Sequence, residues 1–280
     1  MSRISATNCC IMVVLCLQGC SKGSNLDSTD QVDTQSTSSL LELANIAEGA
    51  FVMGCTDNQK DLCDEEEQPA HTVTITHPML VATTETTQSQ YMALMNESPS
   101  LHASCDDCPV ENVSWDDAAR FCNAVSDIDG LPNCYSCQTS GCSAVDDFLT
   151  CEGYRLPTEA EWEYFTRCDT DLIYAGDNDA FNVAWTRSTS GDTTHPVGQL
   201  EANDCGLFDL SGNVWEWVED MYSPYQSDPI TDPVGVGNIR IVRGGGYNVD
   251  PAYSRVSNRR DFPESQEGNV GFRVVRTVPQ

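Results

Sequence analysis

The chain has 280 residues, 43 acidic and 14 basic side chains, a formal net charge of −29 and 15 cysteines. That acidity excludes a nucleic-acid binder, which needs Lys and Arg at the phosphates, and a 40% hydrophobic fraction excludes a disordered acidic tail. So many cysteines suit an oxidised, exported protein better than a reduced cytosolic enzyme.

At the N-terminus Arg3 precedes an apolar run at 9–17, the length of a signal h-region and too short to span a bilayer. The run ends in Leu17-Gln18-Gly19-Cys20, which resembles a bacterial lipobox. That resemblance implies a signal peptide over 1–19 and a lipid on Cys20. The protein would then be an exported lipoprotein at the periplasmic face or the cell surface, held to the membrane by acyl chains alone. A plain signal peptide is the alternative. Residues 20–42 combine the lipidated Cys with a Ser-, Thr-, Asp- and Gln-rich tether, and one domain is expected over 43–280.

Within that domain, residues 71–77 alternate His71, Val73, Ile75 and His77 with three threonines, which predicts a half-buried strand. The two histidines would lie about 20 Å apart on it, too far to share a metal. Three capping boxes predict helix starts: Thr87 with Gln90, Ser114 with Asp117, and Thr158 with Glu161. The first helix would bury Tyr91, Leu94 and Met95, and the second Trp115, Ala118, Phe121, Cys122 and Val125. The third would bury Trp162 and Phe165. Beyond residue 175 helical periodicity fades and Gly, Pro, Asn and Asp accumulate, so ordered loops between short strands are expected. The class is α+β.

Setting aside Cys9, Cys10, Cys16 and Cys20, eleven cysteines remain. Cys105, Cys108, Cys134, Cys137, Cys142 and Cys151 could be drawn as a zinc site, but export favours disulfides stapling a loop-rich region. Cys55 and Cys63 are expected to close the acidic loop between them. An odd count leaves at least one thiol unpaired; Cys122, on an apolar helix face, is either a buried free thiol or paired with the loop that follows.

Seven segments in order carry a family resemblance: EGAFVMG at 48–54, DEEEQPAH at 64–71, PVENVSW at 109–115, YRLPTEAEWE at 154–163, GLFDLSGNVWEW at 206–217, RGG at 243–245 and GFR at 271–273. Together they resemble the formylglycine-generating enzyme (sulfatase-modifying factor) family. The resemblance implies a loop-rich variant of the C-type lectin fold, low in regular structure. Residues 188–238 contain nine acids and no Lys or Arg, and hard oxygen ligands on an irregular loop suit calcium. The resemblance implies a structural calcium held by the side chains of Asp209 and Glu216 and the carbonyls of Gly212 and Val214. The alternative is a solvated loop in which Glu216 pairs an arginine. A second calcium would use Asn182 and the carbonyl of Val183, although the segment after them looks shortened.

Seven of the 14 basic residues lie near the C-terminus: Arg240, Arg243, Arg255, Arg259, Arg260, Arg273 and Arg276. They either pair with the protein's own carboxylates, the commoner arrangement, or line a cleft for an anionic ligand around Tyr247, Arg255, Arg259 and Arg260. The family's oxidation of a target cysteine uses two active-site cysteines that bind copper(I). Their positions fall here at about Val249 and Ser254, and no cysteine follows Cys205. Neither side chain replaces a thiolate at copper. Copper is therefore not expected. The expected function is a non-catalytic binding or scaffold module at the cell envelope, with a protein, peptide or glycan ligand. The alternative is a formylglycine-generating oxidoreductase that converts a sulfatase cysteine to formylglycine.

Overall fold

The computed structural model describes residues 40–59, 61–263 and 268–279. The expected signal peptide, Cys20 and nearly all of the tether lie outside the described residues. In chain order the first half carries β1 (Leu43–Ile46), β2 (Gly49–Met53), β3 (His71–Ile75), β4 (Met79–Ala82), α1 (Gln88–Met95), α2 (Trp115–Asp129), β5 (Tyr135–Gln138), β6 (Gly141–Ala144) and β7 (Tyr154–Arg155). The second half carries α3 (Glu159–Arg167), α4 (Ala180–Val183), β8 (Ala184–Trp185), β9 (Ser211–Gly212), β10 (Trp215–Met221), β11 (Ile230–Thr231), β12 (Arg240–Arg243), β13 (Arg259–Phe262), β14 (Val270–Gly271) and β15 (Val275–Thr277).

All three capping boxes form. Thr87, Ser114 and Thr158 each accept the N3 backbone N–H, and Gln90, Asp117 and Glu161 reach back to the cap N–H. Each cap thus satisfies two backbone donors that the first helical turn leaves unpaired. Helix α2 buries the predicted stripe in full. In α1 only Tyr91 is fully buried, and Leu94 and Met95 are half-buried. The predicted strand stops at Ile75; His77 follows it, buried, with Nε2 2.6 Å from Glu161 Oε1.

The strands form three larger sheets, in the orders β1-β4-β15-β7, β13-β12-β10-β14 and β11-β3-β2, and two small pairs, β5-β6 and β8-β9. Strand β10 separates two cores. Trp215 and Trp217 join Trp115, Phe121 and Phe272 in one, while Val218 joins Trp162, Phe165, Val73 and Ile241 in the other.

Five disulfides staple the loops: Cys55–Cys63, Cys105–Cys108, Cys134–Cys151, Cys137–Cys142 and Cys168–Cys205. The cysteines that could be drawn as a zinc site are thus all paired. Cys137–Cys142 bridges directly opposed residues of the β5-β6 hairpin. Cys168–Cys205 closes a separation of 37 residues, which removes about 4 kcal/mol of unfolded-chain entropy in the loop-closure account. Among the described residues Cys122 is the free thiol, fully buried in α2, and burial pushes its pKa up.

Candidate functional site

The GLFDLSGNVWEW loop depends on left-handed backbone at Asp209 (φ 58°), Gly212 (φ 85°) and Asn213 (φ 58°). A Cβ on Gly212 would lie 2.3 Å from the Trp185 carbonyl oxygen, so only glycine fits there. The turn delivers Glu216 to the side of β10 opposite the two tryptophans. There Arg273 Nη2 donates to Glu216 Oε1 at 2.6 Å, Arg273 Nε lies within 2.9 Å of both carboxylate oxygens, and Trp162 Nε1 donates to Oε2 at 2.7 Å. Asp209 Oδ2 accepts Gly198 N–H at 2.7 Å, while its Oδ1 is buried without a partner. Glu85 completes the group, taking Val214 N–H and the Asn213 amide. Burial raises the Asp209 pKa to about 6. Burial, followed by the charges of Asp209 and Glu216, raises Glu85 well above the ordinary range.

These residues fit a calcium ion only in part. Asp209 offers a free oxygen, but both oxygens of Glu216 are taken by Arg273 and Trp162, a fully buried ion pair where the resemblance implied a ligand. No group of three or more His, Cys, Asp or Glu able to hold a metal occurs among the described residues. At the second implied position, the Asn182 amide donates to Asp177 Oδ2 at 2.9 Å on an exposed turn, and Val183 ends α4.

The Arg-rich end is mostly internal wiring. Arg255 pairs with Glu67 at 2.6 Å, Arg259 with Glu159 at 2.6 Å, and Arg243 with Glu163 at 2.5 Å, all buried. Arg259 also stacks on Tyr225, 4.0 Å from the ring centre. Tyr247 is buried elsewhere, its hydroxyl 2.8 Å from His102 Nε2. The expected cleft therefore does not form as one opening. Of its four residues only Arg260 faces solvent. It borders a cavity of about 260 Å³ together with Tyr222, Tyr253, Asn258 and Asp64, with Arg259 in the wall.

The two positions implied for the reacting thiols are also placed. Val249 packs against the first core and its carbonyl accepts Arg187 N–H. Ser254 is fully buried, its hydroxyl without a partner. It lies beneath the RGG turn, where a Cβ on Gly245 (φ 76°) would sit 2.2 Å from Ser254 Oγ. The ten cysteines of the five disulfides and buried Cys122 account for every cysteine among the described residues.

Sequence reasoning missed a polar chain beside these positions. Thr193 Oγ1 meets His102 Nδ1 at 3.1 Å, His102 Nε2 meets Tyr247, and His102 N–H donates to Glu111 Oε1 at 2.9 Å. Glu111 is fully buried, its Oε2 unpartnered, and burial raises its pKa. An acid between Val110 and Val113 was the available signal.

A sequence profile of the Sulfatase-modifying factor enzyme 1-like domain matches residues 28–278. The chain belongs to this family. Chaperone protein LppX of Paenibacillus barcinonensis is 31% identical over 226 residues, 69% of this chain and 78% of LppX. The formylglycine-generating enzyme of Streptomyces coelicolor is 37% identical over 175 residues, 54% of this chain but only 55% of that enzyme. Among solved structures, Treponema denticola variable protein 1 superposes with a TM-score of 0.75 at 29% identity, covering 84% of this chain and 95% of that one. The loop-rich α+β architecture is that of this fold family.

Proposed function

We propose that this family member is a non-catalytic binding module tethered to the cell envelope by a lipid on Cys20. The observation that carries the reading is the pair Val249 and Ser254: the family chemistry needs two thiolates there, and this domain offers an aliphatic side chain and a buried hydroxyl. The cavity at Arg260 is the binding surface. It combines the solvent-facing Arg260 and the rings of Tyr222 and Tyr253 with the carboxylates of Asp64, Glu66 and Asp261, a polar and aromatic set suited to a glycan or to the main chain of a peptide. The relative named a chaperone favours a polypeptide ligand. Relatives named as formylglycine-generating enzymes supply the second reading, oxidation of a sulfatase cysteine, but the chain spans about half the length of the Streptomyces enzyme.

Copper(I) titration against a competing chelator tests the first reading. The full chain with Cys9, Cys10, Cys16 and Cys20 replaced by Ser and its disulfides kept oxidised is expected to leave the chelator's copper complex unchanged, and stoichiometric withdrawal of copper would sink the proposal.

A further inference from the structure

The sheet β11-β3-β2 leaves one side of β2 without a partner strand among the described residues. Its hydrogen-bonding direction follows from β3. The Thr74 carbonyl accepts Asp232 N–H on the β11 side, and the N–H and C=O of one strand residue point the same way. Thr72 and Thr74 therefore face β11, and His71, Val73 and Ile75 face β2. With Phe51 opposite Val73 and Met53 opposite His71, the residues bonded to β3 are Gly49, Phe51 and Met53. The main-chain groups of Ala50 and Val52 are left pointing outward.

Proteins blunt such edges with Lys, Pro, a bulge or a covering loop. The Gly49–Met53 strand carries no charge and no proline, pairs with β3 in unbroken register, and exposes 48% of Val52. A cavity of about 610 Å³ lies along it, with Ala50, Phe51 and Val52 on one side and Asp169 and Asp171 on the other, and Asp57 near one end. The guanidinium of Arg167 in the wall is committed to Glu163 and the Gly54 carbonyl and also reaches Asp171 Oδ1 at 3.4 Å, so Asp57 and Asp169 are the rim acids it leaves unpaired.

We propose that the free edge of β2 docks an extended, basic segment of a partner protein. The segment adds as a strand, its main chain bonded to Ala50 and Val52 and its Lys or Arg side chains meeting Asp57 and Asp169. Charge selects this occupant. A second copy would bring the same acidic rim and a net charge of −29 against itself. The chain's own residues 21–39 carry Lys22 against Asp27, Asp30 and Asp33. The site shares no lining residue with the Arg260 cavity and does not depend on it.

The test uses the full chain and fluorescent capped peptides of about six residues, the span of the β2 edge. One alternates Lys and Val, one Glu and Val, and one is the Lys–Val peptide with N-methyl groups on the amides that would face β2. Anisotropy is expected to show saturable binding of the Lys–Val peptide and at least roughly tenfold weaker binding of the other two. Replacing Asp57 and Asp169 by Asn is expected to weaken binding about fivefold, as two exposed ion pairs allow. Val52→Pro removes an outward N–H without touching the β3 ladder and is expected to abolish binding. Equal binding of both charge types, indifference to N-methylation, or no saturable binding of the Lys–Val peptide would each overturn the proposal. The N-methyl arm needs no protein variant, so it decides even where Val52→Pro fails to fold. A dimer of the chain that Val52→Pro dissolves would give the edge to a second copy and overturn it too.

Discussion

Glu219 makes the stability of this domain depend on pH in a direction unusual for a carboxylate. It lies on β10 with 7% exposure, its Oε2 accepting the Tyr135 hydroxyl at 3.1 Å and Arg240 Nη1 3.9 Å from Oε1. Burial raises its pKa from 4.5 to about 7, more than Arg240 and Tyr135 lower it. Between those values the folded protein holds a proton that the unfolded chain has released, so stability falls as pH rises through that window. The full displacement is worth about 3 kcal/mol. Asp209, raised by burial to about 6, adds to it with the same sign. Glu161 and Glu67 act oppositely. Burial alone would raise them, but Arg155 with His77, and Arg255 with Ser257, hold them below the ordinary range, so their contribution is lost only on strong acidification. Stability is therefore expected to peak at about pH 5. Glu219→Gln keeps an acceptor for Tyr135 and removes the charge. In urea unfolding of the oxidised chain at about pH 5 and about pH 7.5, the variant is expected to lose about 2.5 kcal/mol of the wild-type difference, since part of the full displacement lies below pH 5. An unchanged difference would refute the reasoning.

Three further outcomes follow from the geometry. Arg273→Leu strands Glu216 as an unpaired buried charge and is expected to cost about 3–5 kcal/mol in denaturant unfolding, with Arg273→Lys recovering only part because it loses the two-pronged contact. With Arg273 supplying the positive charge beside Glu216, thermal melts in calcium and in chelator should coincide. A higher melting temperature in calcium would mean that Glu216 leaves Arg273 for the ion. If Cys20 carries lipid, Cys20→Ser should move the protein from the detergent to the aqueous phase of a cloud-point partition, and unchanged partitioning would remove the anchor.

What the sequence disclosed was local or stereotyped. Thr87, Ser114 and Thr158 announced helix starts because a cap and its N3 partner lie three residues apart, and the stripe from Trp115 to Val125 announced its buried face. The same stripe put Cys122 on a buried face, but whether it was free or paired with the following loop was settled by the tertiary structure, which leaves it free. The pairing of Cys105, Cys108, Cys134, Cys137, Cys142 and Cys151 could not be deduced, since six cysteines permit about 15 connectivities. The site itself rests on contacts between distant residues. Glu216 meets Arg273 across 57 positions, and His102 meets Tyr247 across 145. Neither pairing leaves a trace in periodicity or spacing. The Arg-rich end was legible as a set of charges, yet which of them faces solvent was decided by the tertiary placement of Glu67, Glu159 and Glu163.

The central claim is that this domain keeps the family fold without the family's oxidation. The most direct measurement incubates the full chain with a Cys-x-Pro-x-Arg peptide, copper(I) and oxygen, then follows the peptide by intact mass and by an aldehyde-trapping hydroxylamine probe. With Val249 and Ser254 in place of two thiolates, the peptide is expected to keep its cysteine and take up no probe. Turnover to an aldehyde, with the matching mass loss and probe labelling, would contradict it.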